Sequence, residues 1–507
     1  MIDPRTPCII GVGRKTWHPD EVDENGAPEP LKMWELVSRA AGDDSGVPKI
    51  LESLDSIDVV YSQTWQYDDA PGRLSELLKT KPSRSEYSGI GGTTPQVLTQ
   101  NAATRILAGK SDAALIVGAE ALATKRAFKK RGESPTYSFP PANKTPFPWE
   151  APFDDSELAH EVTPAWLTFA LFDSARRASR GVALDEYREE LGRMFAPMTK
   201  IAAANPDAWY RIARTVNEIV EPQLDNRMVG YPYTKYMVSV MDVDMAAAVI
   251  MTSHERADSL GIPRDRRVYL RGWCYATDPI YVAEHPDLSA SPAMAAAGKE
   301  AQRLAGVGTD EIAHLDLYSC FGSSLNFARD TLGISLADTR PLTVTGGLPY
   351  HGGAGSDYMT HSIATMADTL RNDPGSYGMV TGVGMHMTKH VFGIYSTTPG
   401  TLAPPNQKDI QSQLDKKPTN KIVESHNGLA TVATYCVVHG RDGELQHAVL
   451  VCDVEESQRA YAILSDIEAC RMGENTELIG RSVQLTPTAI DLPTSKSATR
   501  HYAELVD

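Results

Sequence analysis

Basic charge is in short supply in this 507-residue chain. Lys and Arg number 49 against 65 Asp and Glu, a formal net charge of −16. No overall positive field is offered to a phosphate backbone, which argues against nucleic acid as a partner. Cysteine is scarce as well. Cys8, Cys274, Cys320, Cys436, Cys452 and Cys470 are scattered, with no CxxC or other metal-ligand spacing, so no metal site is expected. Long apolar runs are missing, and none reaches membrane-spanning length. The start, MIDPRTPCII, lacks a charged segment followed by an apolar run, and the end, AELVD, is not the short peroxisomal address. These absences together predict a reduced, cytoplasmic protein. The 42% hydrophobic and 22% charged content is that of a globular protein. The length exceeds what one core accommodates, so two or three domains are expected.

What is present is a repeat. Gly346–Lys389 holds a glycine-rich turn, an amphipathic run and a short apolar run ending in glycine, and Gly91–Lys125 has the same layout. With Gly91-Gly92 set on Gly352-Gly353, Thr99 falls on Thr360 and Ala103-Thr104 on Ala364-Thr365. After a small insertion around Asn372–Pro374, Gly118 falls on Gly382 and Thr124-Lys125 on Thr388-Lys389. Upstream, Ile57–Ser62 resembles His314–Ser319, and Cys8–Gly13 resembles Val268–Trp273. An internal duplication with a period of about half the chain follows. Each copy reads strand, helix, strand, helix, glycine turn, helix, strand, which implies parallel sheets covered by helices. Glycine before a helix lets a ligand approach unpaired N–H groups, so Gly91, Gly92, Gly352 and Gly353 are candidate substrate-binding positions. Close packing of helix on sheet is the alternative use of each pair.

Between the copies the rhythm breaks. Residues 126–236 open with Pro- and aromatic-rich sequence and continue as a helical section from Pro164 through Val220, the pattern of a lid or substrate loop. Lys125-Arg126 and Lys129-Lys130-Arg131 form a local basic patch, suited to a phosphate-bearing ligand or to a solvated face. The expected division is 1–125 with 237–264 as a first half, 126–236 as an insert and 265–398 as a second half. A Pro- and Lys-containing linker over 399–419 and a β-rich domain over 420–507 complete it. In that last part the sequence predicts a hairpin of Ala430–Val438 and Gln446–Val454 around Asp442-Gly443. A short helix over Ala460–Ala469 and a final strand over Ser482–Leu485 are expected to follow.

These features resemble the thiolase superfamily, nearest to its sterol-carrier type and to bacterial thiolase-like proteins labelled acetyl-CoA acetyltransferases. The C-terminal stretch resembles the additional domain of thiolase-like protein type 1. The resemblance implies an α/β fold with two βαβαβ-type halves. Their five-stranded mixed sheets are layered α-β-α-β-α, and a small barrel-like domain follows. It also implies CoA or acyl-CoA as a ligand, no tightly bound cofactor, a setting in lipid metabolism, and a monomer or homodimer.

The family's catalytic groups are altered at the matching positions. The nucleophilic cysteine of the first glycine turn falls on Gly92. The second motif, Asn-Glu-Ala-Phe or His-Asp-Cys-Phe in the family, reads Tyr318-Ser319-Cys320-Phe321 here. The histidine of Gly-His-Pro falls on Gly353, with His351 two residues earlier, and Cys-x-Gly becomes Val380-Thr381-Gly382. The remaining catalytic candidates are Tyr318, His351 and Cys320, each with a structural alternative as a buried or turn residue. Three functions stay open: an acyl-CoA-handling protein without conventional thiolase activity, a retro-aldol lyase on a β-hydroxyacyl-CoA using Tyr318, and a non-catalytic scaffold.

Overall fold

The computed structural model describes residues 2–148, 153–400 and 403–506. In the first half, β1 (Pro7–Thr16), β2 (Ser56–Val59), β3 (Arg84–Tyr87) and β4 (Ala113–Ala121) form. The insert adds a short ribbon, β5 (Met228–Gly230) and β6 (Tyr233–Thr234), before β7 (Asp244–Ser253) completes the half. The second half supplies β8 (Val268–Thr277), β9 (Ile312–Asp316), β10 (Tyr377–Gly384) and β11 (Lys389–Ser396).

These strands run in the order β3-β2-β4-β7-β1-β8-β11-β10-β9. The duplication is visible in that order. Starting at the β1–β8 junction and moving outward, each half meets its first strand, its last strand and then two inner strands. The junction is brief, Cys8 opposite Tyr269 and Ile9 opposite Val268, so it joins two sheets at their edges. The outermost place next to β9 is taken by irregular chain at 342–345, where Leu317 N–H donates to Leu342 O at 2.9 Å. The sheets are mixed. β2 is parallel to β3 and β4, while β7 runs antiparallel to both β4 and β1. The expectation of parallel sheets therefore holds only for the outer strands. β11 follows β10 after a short turn with no crossover helix, so the chain reverses there.

Layering follows from which helices are buried on two sides. Thr94–Leu107 and Tyr358–Asn372 pack on each other and on strands of both halves, forming the middle layer. Tyr358, Met359 and Ile363 are buried there. Outside, Pro30–Asp44 covers β1, β4 and β7, and Pro292–Ala305 covers β8 and β11. Pro30–Asp44 is apolar on one side only, burying Leu31, Trp34, Val37 and Ala41.

The C-terminal part closes on itself. β12 (Lys421–Ile422) lies at the edge of β15. β13 (Gly428–His439), β14 (Leu445–Glu455), β15 (Gln458–Leu464), β16 (Ser482–Asp491) and β17 (Ser497–Leu505) pair in the ring β13-β14-β15-β17-β16-β13. That is a closed five-stranded barrel, with the helix Ile467–Gly473 between β15 and β16, an order shared with OB-type barrels. The helix expected over Ala460–Ala469 is instead a strand followed by a turn into that helix. In β15 the small residues Ala460 and Ala462 face the barrel core, while Tyr461 and Ile463 face the thiolase-like body. Both faces being buried, the segment reads as one apolar run, which periodicity alone does not assign. The strand expected to be last, Ser482–Leu485, extends to Asp491 and is followed by a further strand, β17, and the linker contains a helix, Gln407–Leu414.

The barrel packs on the insert. β13 lies against the helix Ala165–Ser179 and pairs with β5 at Val438 opposite Gly230. Edge strand β3 keeps its outer side open, blunted by Arg84 paired with Glu86 at 2.6 Å. Among the described residues, no helix is long and apolar enough to cross a membrane.

Candidate active site

Four chain segments meet where the middle-layer helices begin. Gly91 and Gly92 precede the helix Thr94–Leu107, and Tyr318–Phe321 lead from β9 to the helix Gly322–Leu332. Gly382-Val383 end β10, and Gly352–Gly355 form the loop before Tyr358–Asn372.

The Tyr318 side chain fills the space above Gly92. A Cβ on Gly92 would lie closer than 3.0 Å to both Tyr318 Oη and Val383 O, which no real Cβ does. Gly92 is outside the left-handed region, so it is the neighbours that demand glycine here. Tyr318 is held at both ends. Its N–H donates to Thr381 Oγ1 at 2.8 Å, and its ring meets Tyr358 edge-on at 5.6 Å. Among the described residues its hydroxyl makes no hydrogen bond. Burial drives the phenol well above its ordinary pKa, with the neighbouring Cys320 adding to the effect.

Gly353 is crowded in the same manner. A side chain there would run into Ser239 Oγ, from the segment that leads out of the insert into β7. Ser239 N–H donates to Cys320 O at 3.0 Å, tying the two loops together. The Gly353 N–H donates to Val240 O at 2.7 Å, and Gly91 N–H to Ser356 Oγ at 3.0 Å. Gly352 lies at φ 119° against Met245 and Val243. The second glycine pair stands five residues ahead of its helix rather than on its first turn.

Cys320 is 8% exposed, and its Sγ donates to Ser324 Oγ at 3.5 Å. Burial pushes its thiol up to about 12, so it is not a thiolate at neutral pH. His351 is fully buried. Its Nδ1 accepts from Asn205 Nδ2 at 3.3 Å, its Nε2 has no partner among the described residues, and its ring stands 5.4 Å from that of His361. Burial, reinforced by His361, holds it well below the usual histidine range, so it is a neutral imidazole. The structure thus joins Tyr318 to Gly92, and Cys320 through Ser239 to Gly353. His351 belongs to an adjoining buried cluster with Tyr358.

Sequence reasoning missed Ser239, Thr381, Tyr358 and Asn205. Asn205 comes from the insert and Ser239 from the segment just after it, and neither carries a local signal. Thr381 sits inside the altered Cys-x-Gly motif, where attention to the missing cysteine hid the hydroxyl beside it. Among the described residues, no group of three or more His, Cys, Asp or Glu could hold a metal ion. Of the basic patch, Lys125 Nζ donates to Gln63 O, and Arg126 and Arg131 pair with Asp242 and Glu133.

Comparison with known proteins follows this geometry. Residues 409–489 match the model of the thiolase-like protein type 1 additional C-terminal domain. The chain is similar along its full length to a monomeric SCP2-thiolase-like protein type 1 from Mycobacterium smegmatis, with 29% identity, all of both chains covered and a TM-score of 0.85. It shares the fold of an acetyl-CoA acetyltransferase from Syntrophomonas wolfei at 14% identity, over 78% of this chain and 100% of that one, with a TM-score of 0.55. It also shares the fold of an Ltp2-ChsH2(DUF35) aldolase at 16% identity, over 78% of this chain and 98% of that one, with a TM-score of 0.60. No curated protein sequence matches the chain. The two mixed sheets and the helices between them make this a thiolase-like protein. It is, more narrowly, a thiolase-like protein that carries an additional C-terminal domain.

Proposed function

We propose that this protein binds an acyl-CoA-like thioester without performing conventional thiolase chemistry. The observation that carries the reading is the Tyr318 phenol seated on Gly92, in the volume a nucleophilic side chain needs. A Claisen condensation through an acyl-enzyme requires a nucleophile with a base in reach. Here Cys320 is a buried thiol and His351 a neutral ring bound to Asn205. Full-length similarity to an SCP2-thiolase-like protein supports a lipid-derived acyl group. That protein's monomeric state and the charged, four-residue β3 edge support a monomer, which light scattering after gel filtration checks. We place the protein in the cytoplasm.

Native mass spectrometry with a panel of acyl-CoAs tests the binding, and acetoacetyl-CoA thiolysis tests the chemistry. Intact acyl-CoA adducts with no thiolysis are expected. CoA-dependent loss of the acetoacetyl enolate absorbance that persists through repurification defeats the reading.

One observation favours a second function. The Tyr318 hydroxyl makes no hydrogen bond among the described residues and so is available to a ligand. In retro-aldol cleavage of a β-hydroxyacyl-CoA it would exchange a proton with the substrate hydroxyl or the enolate.

A further inference from the structure

A cavity of about 560 Å³ separates the helix Leu184–Ala204 from the chain that follows the helix Gly322–Leu332. Met194, Pro197, Met198, Ile201 and Leu342 give it apolar walls. Arg329 also lines it, yet is only 6% exposed. Its Nη2 donates to Ser335 O at 2.7 Å, its Nη1 rests 3.9 Å from Met194 Sδ, and its Nε has no partner among the described residues.

Carboxylates are close by, but each is taken. Asp330, Asp338 and Glu190 all act on the Arg329 charge. Asp330 pairs with Arg176 at 2.6 Å, Asp338 with Arg340 at 2.5 Å, and Glu190 with Arg180 at 2.7 Å. Arg329 is the arginine of this group left without a carboxylate within ion-pair distance among the described residues. Exposed Lys200 and Glu186 also line the cavity, about 21 Å apart along one helix, too far to pair. A buried guanidinium without a counter-ion is costly, and a roomy apolar cavity beside it is the arrangement that receives an amphiphilic anion.

We propose that this cavity binds an organic carboxylate with an aliphatic body, its carboxylate pairing with Arg329 and its chain lying along Met194, Met198 and Ile201. Arginine suits this role because its planar fork matches a carboxylate in two parallel bonds. Arg329 stands about two helical turns from the Tyr318 loop, on the far part of the helix Gly322–Leu332. The site is therefore separate from the one assigned to the thioester, and it stands whether or not the thioester reading survives.

Isothermal titration of the full chain with octanoate tests it, with octanol and inorganic phosphate as comparisons. Saturable octanoate binding is expected, at least tenfold tighter than octanol and with no binding of phosphate. Arg329→Met removes the cation and Ile201→Trp fills the cavity from its rim, and each should weaken octanoate at least tenfold. Absence of octanoate binding at millimolar concentration overturns the proposal, and so does binding that both variants leave unchanged. Phosphate binding as tight as octanoate overturns the ligand class. Should Arg329→Met fail to fold, Ile201→Trp and the octanol comparison still decide.

Discussion

Adding a single methyl group at Gly92 is the sharpest perturbation of the site. Replacing glycine by alanine outside the left-handed region ordinarily stabilises by about 0.4–1 kcal/mol, because the unfolded chain loses freedom. At Gly92 the sign should reverse. The new Cβ falls within 3.0 Å of three atoms, Tyr318 Oη, Tyr318 Cζ and Val383 O. The phenol is wedged against Tyr358, and the Val383 carbonyl belongs to β10, whose pairing with β11 fixes it opposite His390. Neither retreats freely, and overpacking of this kind costs about 1–3 kcal/mol. The net expectation for Gly92→Ala is a loss of about 1–2 kcal/mol. Tyr318→Phe removes the nearest of the three offending atoms and leaves a ring freer to shift, so the double variant should recover part of the loss, with a coupling of at least about 0.5 kcal/mol. Urea denaturation of the wild type, the two single variants and the double variant measures the cycle. A Gly92→Ala protein as stable as wild type, with additive effects, refutes the claim that Tyr318 occupies the nucleophile's volume. Gly92→Cys then follows as a functional control. It should be destabilised and still fail to catalyse thiolysis.

Further expectations concern chemistry, pH and domain association. Tyr318→Phe should keep the fold and, if β-hydroxyacyl-CoA cleavage occurs, slow release of acetyl- or propionyl-CoA by about 10²–10⁴-fold. Equal release by both proteins makes Tyr318 structural. Glu120 is fully buried and burial raises its carboxyl from 4.5 to about 7, against four donors from Ser62, Gln63 and Thr64. The folded state therefore holds this proton more tightly than the unfolded chain. Its contribution is complete below about pH 4.5 and is lost as pH rises to about 7, a swing of up to about 3 kcal/mol. Glu120→Gln should flatten the stability profile across that window, and an unchanged slope contradicts the assignment. Proteolytic cleavage within 403–420 should leave the two fragments bound to each other on gel filtration, because β13 is bonded into the insert. Separation under native conditions would show that this seam is weak.

Much of the fold could be read from the chain. The offset that sets Gly118 on Gly382 carries β4 onto β10, and the one that sets Cys8 on Val268 carries β1 onto β8. Turn glycines and short apolar runs are local features, and local features repeat. Strand direction was less legible, because parallel and antiparallel buried strands share the same apolar composition. β15 was misread because both its faces are covered. At the site, the missing nucleophile and base were plain as Gly92 and Gly353. That Tyr318 and Ser239 fill the space they leave was not, since each contact joins residues far apart in the sequence. Cys320 and His351 could be named as candidates, but their protonation states follow only from burial.

The seam at Gly230 changes what the insert can do. Tyr231 N–H donates to Val437 O at 2.9 Å, and Thr434 Oγ1 donates to Leu171 O. One strand of the barrel is thereby fastened both to the ribbon and to the helix Ala165–Ser179. Ser239 follows three residues after the insert ends and reaches the loops around Gly353 and Cys320. A lid hinged only at its two chain ends could swing away and carry Ser239 with it. This one is moored at a third point, like a door bolted to the wall behind it. Access to Tyr318 must then depend on side-chain movement and slight breathing of the loops, and a ligand that needs a wide opening must first loosen the barrel.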